Sequence, residues 1–149
     1  MAPMQLEIIT AERQVYSGEV DLVVAPGIDG QLGILPHHAP LMTILQPGEV
    51  VVRKDGSDTY MAVTGGFLEV IGNRVTILAD ACERSEEIDE ARAQAAMERA
   101  RERVASQDAD LQLERAMGDV RRAQVRLNVA RRRRSRVGVQ PGAGDSGPP

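Results

Sequence analysis

The stretch GGFLEVIGNRVTILADACERSEEIDEARAQAAMERARERVAS, residues 65–106, contains the change of periodicity that decides the fold. Its first part alternates apolar and polar residues and is rich in Val, Ile and Thr, which favour β-strands. Gly65-Gly66 opens this part, and Gly72-Asn73 marks a turn at its centre. After about residue 83 the composition changes to Ala, Glu and Arg without Gly or Pro, which predicts a helix. The stretch therefore predicts a sheet followed by helical structure.

The chain before this stretch also has the character of strands. In GEVDLVVA, alternation predicts that Val20, Leu22 and Val24 share one face of a strand. Asp55-Gly56 lies between two apolar runs and predicts a tight β-hairpin. Short strands at close and regular spacing predict a β-sandwich or a flattened barrel over about the first 80 residues.

A second helical segment follows a polar break at SQDAD, residues 106–110. It starts at about Ala109 and carries a stripe of mostly small side chains at helical spacing. Two helices joined by a short link form an antiparallel hairpin. Because alanines bury little apolar area, we expect weak packing within this hairpin. The stripe consists of Leu113, Ala116, Val120, Ala123 and Leu127.

These patterns divide the chain into three parts. Residues 1–84 are expected to form the sandwich and residues 85–136 the helical hairpin, whereas residues 137–149, rich in Gly and Pro, are expected to be disordered. The single cysteine excludes an intrachain disulfide and a cysteine-based metal site. No signal peptide is predicted, and no apolar run approaches the roughly 20 residues that span a bilayer.

Charge is distributed unevenly along the chain. Residues up to Cys82 include four basic and ten acidic side chains, whereas those from Glu83 onward include fourteen arginines and twelve acids. The run 131–134, with Arg136, is typical of a site for nucleic acid, anionic lipid or an acidic protein, or of a solvated helix end. Nucleic acid is the least favoured partner, because this half is nearly balanced in charge and aromatic residues are scarce.

The only histidines, His37 and His38, are adjacent. A metal site needs several ligands, and no further histidine exists, while the nearest upstream acid is Asp29. The pair therefore indicates a structural loop or a partner contact. The glycines of PGIDGQLG, residues 26–33, lack the phosphate-loop pattern and indicate a tight turn. Neither a catalytic nor a metal site is predicted.

Two pairs of arginines in the helical segments form a candidate phosphate site. Arg92 and Arg99 are seven residues apart, and Arg122 and Arg126 four apart, so each pair shares a helix face. If the pairs converge, their guanidinium groups repel each other unless a polyanion lies between them, and such groups bind phosphate oxygens well. The alternative is ion pairing with local acids, namely Glu98, Glu102 and Asp119.

Three segments in a fixed order identify a family. GQLGILPHHAPLMTILQPGEV, residues 30–50, precedes VTGGFLEVIGNRVTILAD, residues 63–80, and IDEARA, residues 88–93, opens the helical part. This combination resembles the epsilon subunit family of bacterial F-type ATP synthases, over residues 4 to about 135. The resemblance implies an α+β chain in two parts, a ten-stranded antiparallel β-sandwich followed by an antiparallel two-helix hairpin.

The resemblance also implies partners. The protein would be a non-catalytic central-stalk (rotor) subunit that joins the gamma subunit to the c-ring and meets the alpha and beta catalytic subunits. Thr10, His38 and Thr43 match positions that face gamma, and Gln31 lies at the tip of the loop that meets the c-ring. His37 stands where other members often carry glycine. The expected place is the cytoplasmic face of the bacterial inner membrane, held there only through the complex and without nucleic acid.

Family members regulate the enzyme with the hairpin, which is either folded against the sandwich or extended into the catalytic head, where it blocks ATP hydrolysis. The arginine-rich end of the second helix would then face an acidic stretch of the beta subunits. The alternative within the family is a purely coupling subunit that does not sense ATP.

Some members bind ATP in the folded form, as a regulatory ligand and not as a required cofactor. IDEARA fits the motif of these members, and additional matching residues flank it. Without ATP, repulsion among the arginines would favour an open hairpin. The implied ATP-binding residues are Glu83, Ile88, Asp89, Arg92, Ala93, Arg99, Arg122 and Arg126.

Overall fold

The computed structural model describes residues 3–106 and 110–138 and contains ten strands, one short 3-10 turn and two helices. The strands are β1 (Met4–Ile9), β2 (Gln14–Val20), β3 (Leu22–Gly27), β4 (Gly30–Ile34), β5 (Leu41–Leu45), β6 (Gly48–Lys54), β7 (Ser57–Val63), β8 (Gly66–Ile71), β9 (Arg74–Ala79) and β10 (Cys82–Arg84). The 3-10 turn Ser85–Glu87 then leads into α1 (Glu90–Ser106), which is followed by α2 (Asp110–Gly138).

The strands form one strongly curved sheet that closes on itself as a sandwich. Its order is β10-β7-β6-β3-β5-β8-β9-β1-β2, with β4 paired to β3, and β2 returns to contact β6. The predicted sandwich followed by two helices is confirmed. One pairing departs from the antiparallel expectation, since β1 runs parallel to β9. β1 lies between β9 and β2, and it is antiparallel to β2.

The core of the sandwich consists of large aliphatic side chains contributed by nearly every strand. Leu6, Ile34, Leu68 and Ile77 are at most 1% exposed. Full burial of such a side chain stabilises the folded state by about 1.5–3 kcal/mol. The sandwich therefore has a substantial core of its own, and the hairpin packs outside it.

The alternation predicted for GEVDLVVA is wrong in its second half. Val20 and Val23 are fully buried, whereas Leu22 and Val24 are only partly buried. The chain bends at Asp21, whose N–H donates to the Arg53 carbonyl at 2.8 Å. Because this bend separates two strands, the alternation restarts after it with the opposite phase.

The tight turns predicted at Asp55-Gly56 and Gly72-Asn73 are confirmed. Asp55 and Gly56 have φ of 51° and 75° between β6 and β7, and Gly72 and Asn73 have φ of 56° and 60° between β8 and β9. Two successive residues with positive φ form the turn whose twist matches that of antiparallel strands. These turns set the register of both hairpins.

The two helices pack antiparallel, as predicted. Arg103 near the end of α1 forms an ion pair with Asp119 near the start of α2, at 3.5 Å. At the other end, Arg131 Nη2 donates to Gln94 Oε1 at 3.3 Å. In the described ranges, neither helix is long and apolar enough to cross a membrane. Residues 107–109 of the predicted polar break and residues 139–149 of the predicted tail lie outside the described residues.

Candidate functional site

IDEARA begins α1 through an N-cap. Asp89 Oδ1 accepts the Arg92 N–H at 3.1 Å, and the Asp89 carbonyl accepts the Ala93 N–H at 2.9 Å. Aspartate is a favoured N-cap residue because its side chain satisfies an amide that has no partner inside the helix. The motif therefore fixes where α1 starts and how it leaves the sandwich.

Two residues of the motif pack in the interface between hairpin and sheet. Ile88 is 2% exposed and Ala93 is fully buried. Their side chains belong to an apolar cluster that we call the seam, which consists of Ala62, Ile88, Ala93, Leu127, Val129 and Ala130. In this conformation both side chains are packed in the seam. Their contribution to ligand binding would therefore be to fix the backbone around Asp89.

The structure brings Glu83 and Arg126 together across 43 residues of sequence. Arg126 Nε donates to Glu83 Oε1 at 2.8 Å, and Nη2 donates to Oε2 at 3.2 Å. Each side chain is about one-third exposed, so the pair is only partly screened by water. This bidentate ion pair joins β10 to the middle of α2.

Arg122 is also paired, and its partner is a local acid. Its Nη2 donates to Asp119 Oδ1 one turn earlier, and the second oxygen of Asp119 faces Arg103 of α1. Ion pairing with a neighbouring acid, the alternative to a phosphate site, is therefore what Arg122 does in this conformation. Together with Glu83, Asp119 offsets the repulsion expected among the arginines.

The two candidate arginines of α1 differ from those of α2. Arg92 and Arg99 are exposed, and neither has a carboxylate partner among the residues that the structure describes. The contacts at the two ends of the hairpin place Arg99 at about the level of Ala123, between Arg122 and Arg126. Arg92 lies about two turns away, at the end near the sandwich.

The candidate residues line more than one groove. Arg99 lines a groove of about 600 Å³ together with Glu102, Arg103 and Ser106. Arg122 lines a different groove of about 610 Å³, formed by one side of α2. A triphosphate that contacts both arginines would therefore have to bridge the hairpin.

Two further arginines tie the hairpin to itself and to the sheet, through partners that the sequence does not predict. Besides Gln94, Arg131 approaches Glu90 at 3.9 Å. Arg132 donates to Glu49 of β6, and this hydrogen bond is the main reason that the pKa of Arg132 is raised. Nothing local in the sequence indicates the latter pair, because its members are 83 residues apart.

The 3-10 turn before α1 is fixed to the sandwich at both ends. Arg84 donates to the Val15 carbonyl at 2.6 Å, and its guanidinium lies 5.7 Å from the centre of the Tyr16 ring. Glu87 accepts two hydrogen bonds from Arg13, at 3.1 and 2.7 Å. The hydrogen bond from Arg13 is also the main cause that lowers the pKa of Glu87.

The residues expected to face partners lie on different parts of the sandwich. Thr10 is in the β1–β2 turn, where its Oγ1 accepts the N–H groups of Glu12 and Arg13 at 3.3 Å. Gln31 is exposed on β4, next to the tight turn at its start. His38 is partly buried, and its Nδ1 donates to the Ala39 carbonyl at 2.7 Å.

Thr43 and His37 complete the set of positions singled out in the sequence. Thr43 is partly buried on the same side of β5 as Leu41 and Leu45. His37 is exposed with φ of 65°, and its N–H donates to Asn73 Oδ1 at 2.9 Å. A positive φ explains why glycine is well suited to the position of His37.

The outer face of the sandwich carries an exposed apolar row that was not among the predicted sites. Ile44 of β5 pairs with Phe67 of β8, which pairs with Leu78 of β9, and the three are 48%, 53% and 52% exposed. Met42, on the same face of β5, is 68% exposed. A strand face that is exposed to solvent normally carries polar side chains. The sequence feature that could have indicated this row is that apolar residues stand at the strand positions that alternate with buried ones.

The chemistry of these surfaces is that of binding. Within residues 3–106 and 110–138, no group of three or more His, Cys, Asp or Glu residues is arranged to hold a metal ion. What the described residues offer is guanidinium groups along a hairpin and an apolar row on the opposite part of the sandwich. The first suits anions, and the second suits a protein partner.

Comparison with known proteins identifies one family for both parts of the chain. Residues 3–85 match the family model described as ATP synthase, Delta/Epsilon chain, beta-sandwich domain, and residues 86–131 match ATP synthase, Delta/Epsilon chain, long alpha-helix domain. The chain is 53% identical over 134 residues to the ATP synthase epsilon chain of Herpetosiphon aurantiacus, covering 90% of this chain and 98% of that one. It is 52% identical over 135 residues to the ATP synthase epsilon chain of Dehalococcoides mccartyi, covering 90% and 96%.

Solved structures with low sequence identity share the fold. One is a chain in the cryo-EM structure of Euglena gracilis mitochondrial ATP synthase, OSCP/F1/c-ring in rotational state 1, with a TM-score of 0.76, 22% identity, and coverage of 87% of this chain and 82% of that one. Another belongs to the Tetrahymena thermophila mitochondrial ATP synthase, central stalk/c-ring, with a TM-score of 0.58, 20% identity, and coverage of 84% and 92%. The likeness extends over both the sandwich and the helical part.

Proposed function

Because the chain belongs to the epsilon chain family of F-type ATP synthases, which are non-catalytic central-stalk subunits, we propose that it couples gamma to the c-ring and regulates ATP hydrolysis. In this proposal the sandwich is the coupling part and the helical hairpin is the regulatory part. Gamma, the c-ring and the alpha and beta subunits are the partners. The protein works at the cytoplasmic face of the bacterial inner membrane, where it is held by the complex.

The observation that carries the regulatory proposal is the composition of the seam. Three of its six residues are alanines, Ala62, Ala93 and Ala130, and surface ion pairs surround it. Small side chains bury little area, so this interface is much weaker than the core of the sandwich. The hairpin can therefore leave the sheet while the sandwich stays folded, and the extended hairpin is the form that inhibits ATP hydrolysis.

ATP is proposed to bind the folded hairpin and to favour it. Arg99, Arg122 and Arg126 lie at similar levels of the hairpin and would contact the triphosphate, with Arg92 at one end. Glu83 and Asp89 are anions and belong at the nucleoside end. A ligand that binds only the folded form stabilises it by about 2.7 kcal/mol at a hundredfold excess over Kd, enough to shift two states of similar energy.

Calorimetry of the full chain with ATP, ADP and GTP tests this proposal. We expect heat of binding for ATP and a loss of roughly tenfold or more in affinity for Arg126→Ala, since a charge-assisted hydrogen bond contributes about 1.5–3 kcal/mol. Arg101→Ala is the control, because Arg101 is an exposed arginine of the hairpin outside the candidate set and does not line the grooves of Arg99 and Arg122. Absence of heat at millimolar ATP, or equal affinities of the two variants, contradicts ATP binding at this site.

One observation favours a second candidate function, that of a coupling subunit without ATP sensing. Arg126 already forms an ion pair with Glu83, and Arg122 forms one with Asp119. Two of the four candidate arginines are therefore neutralised within the chain. A triphosphate must displace or rearrange these carboxylates before it can use both arginines. A titration that shows no binding of ATP would support this second candidate, and it would leave the coupling role unaffected.

A further inference from the structure

Arg132 of α2 contacts the sandwich through two hydrogen bonds and an aromatic ring. Its Nε donates to Glu49 Oε2 at 3.0 Å, and its Nη2 donates to Glu49 Oε1 at 3.0 Å. The same guanidinium lies over the ring of Tyr60, with 5.1 Å from Cζ to the ring centre. A bidentate carboxylate and an aromatic face together satisfy both the edge and the plane of a guanidinium group.

Glu49 and Tyr60 are positioned by the sheet and not by the helix. They lie on the neighbouring strands β6 and β7, where Glu49 pairs with Ala62 and Val51 pairs with Tyr60. The alternate residues Val50 and Met61 are fully buried in the sandwich core. Because side chains alternate along a strand, Glu49 and Tyr60 point to the outer face. Val50 and Met61 on the inner face pack in the core and hold the backbone of both strands in place.

Apolar packing around the contact of Arg132 with Glu49 and Tyr60 is incomplete, so the attachment of α2 to the sheet depends more on this contact. A groove of about 490 Å³ remains between β6 and α2, lined by Gly48, Glu49, Val125, Asn128, Arg131 and Arg132. The apolar seam ends at Ala130, two residues before Arg132. At this end of the interface, the ion pair and the ring contact therefore hold α2 where apolar packing does not.

We propose that Glu49 and Tyr60 form a receptor for the guanidinium of Arg132, and that this receptor keeps α2 folded against the sheet. Opening of the hairpin then requires that Arg132 leave Glu49, and any acidic polypeptide that binds this arginine competes directly with Glu49. The proposal depends on the proposed function only in assuming that the hairpin opens; it does not depend on ATP.

Hydrogen exchange of the full chain without nucleotide tests the receptor. Glu49→Gln and Arg132→Gln should each speed amide exchange at residues 125–132 by about twofold to fivefold, the effect expected of a bidentate pair whose arginine is half exposed. The double variant should be no faster than Arg132→Gln alone, because that substitution already removes the interaction with Glu49. Tyr60→Leu should change exchange in the same direction, since it removes the aromatic ring that Arg132 contacts and alters packing against the seam.

Matched substitutions control for the loss of charge. Glu19→Gln and Arg121→Gln alter exposed side chains that form no ion pair within the described residues, and they should leave exchange of α2 unchanged. Protection of β8 and β9 amides in every variant checks that the sandwich is folded. The receptor is excluded if Glu49→Gln exchanges like Glu19→Gln, or if the single effects add in the double variant. This outcome is independent of an ATP titration.

Discussion

Individual arginines of the hairpin differ in electrostatic environment although they look alike in the sequence. Arg126 and Arg132 are each held by a carboxylate of the sandwich, whereas Arg122 is held by an acid of its own helix. Arg92 and Arg99 have no carboxylate partner among the described residues. Because a guanidinium group that already has an anion binds a second one less readily, the α1 arginines are the more accessible to a phosphate.

The ion pair of Glu87 with Arg13 predicts a dependence of stability on pH. The pKa of Glu87 is lowered mainly by the hydrogen bond from Arg13, so the folded state favours the charged carboxylate. A group with a lowered pKa stabilises the fold above its unfolded pKa, near 4.5, and this contribution is lost as the pH falls through the folded value. The stability difference between the wild type and Glu87→Gln should therefore be present at pH 7 and disappear in acid.

Thermal unfolding between pH 3 and pH 7 measures this difference. Glu19→Gln is the control, because its carboxylate is exposed and forms no ion pair within the described part of the chain. A wild-type advantage over Glu87→Gln that is constant across the range would show that the pair does not contribute through its charge.

At the residue scale, sequence reasoning finds local partners and misses distant ones. The pair of Arg122 with Asp119 follows from helical spacing of three residues. Glu83 and Arg126 were grouped by family resemblance, and no spacing rule predicts their contact. The partners of Arg132 depend on how α2 docks on the sheet, which no local pattern specifies.

At the scale of elements, the start of α1 is encoded locally. Asp89 caps the first turn, and the good helix formers after it continue the helix to Ser106. The strands are also encoded locally where a turn with two positive φ values connects them, as at Asp55-Gly56. Prediction fails at Asp21, where a bend without glycine or proline separates β2 from β3 and reverses the phase of burial.

The N-cap predicts the effect of substitutions at Asp89. Asp89→Ala should destabilise the first turn of α1 by about 1 kcal/mol, which corresponds to roughly fivefold faster exchange of the Arg92 amide. Asp89→Asn should retain protection, since its side-chain oxygen still accepts the hydrogen bond. Equal protection in Asp89→Ala and the wild type would show that the cap does not stabilise this turn. Asp89→Asn also removes the charge at the proposed nucleoside end without disturbing the helix.

At the scale of the whole molecule, the sandwich has two different outer faces. The hairpin covers the face formed by β6, β7 and the 3-10 turn. The face of β5, β8 and β9 carries the apolar row of Ile44, Phe67 and Leu78, each about half exposed. Exposed apolar side chains that are aligned across three strands indicate a docking surface for a protein, and we propose gamma, one of the partners in the proposed function, as its occupant.

Substitution of Phe67 tests this assignment. Phe67→Asp places a charge at the centre of the row and should weaken co-purification with gamma by at least roughly tenfold, as is typical of a central apolar contact. Ile71→Asp is the matched control, because Ile71 is 58% exposed on the same strand but lies at its end. Undiminished co-purification of Phe67→Asp would place the gamma interface elsewhere on the sandwich.

The ties that hold the 3-10 turn on the sandwich decide how the molecule would move. With Arg84 bound to Val15 and Glu87 bound to Arg13, the ties to this part of the sandwich end at Glu87, shortly before α1 begins. The 17 residues of α1 extend about 25 Å beyond that point, at about 1.5 Å per residue. The hairpin would thus rotate about its junction with the sandwich, and a small rotation there displaces its far end by many ångströms.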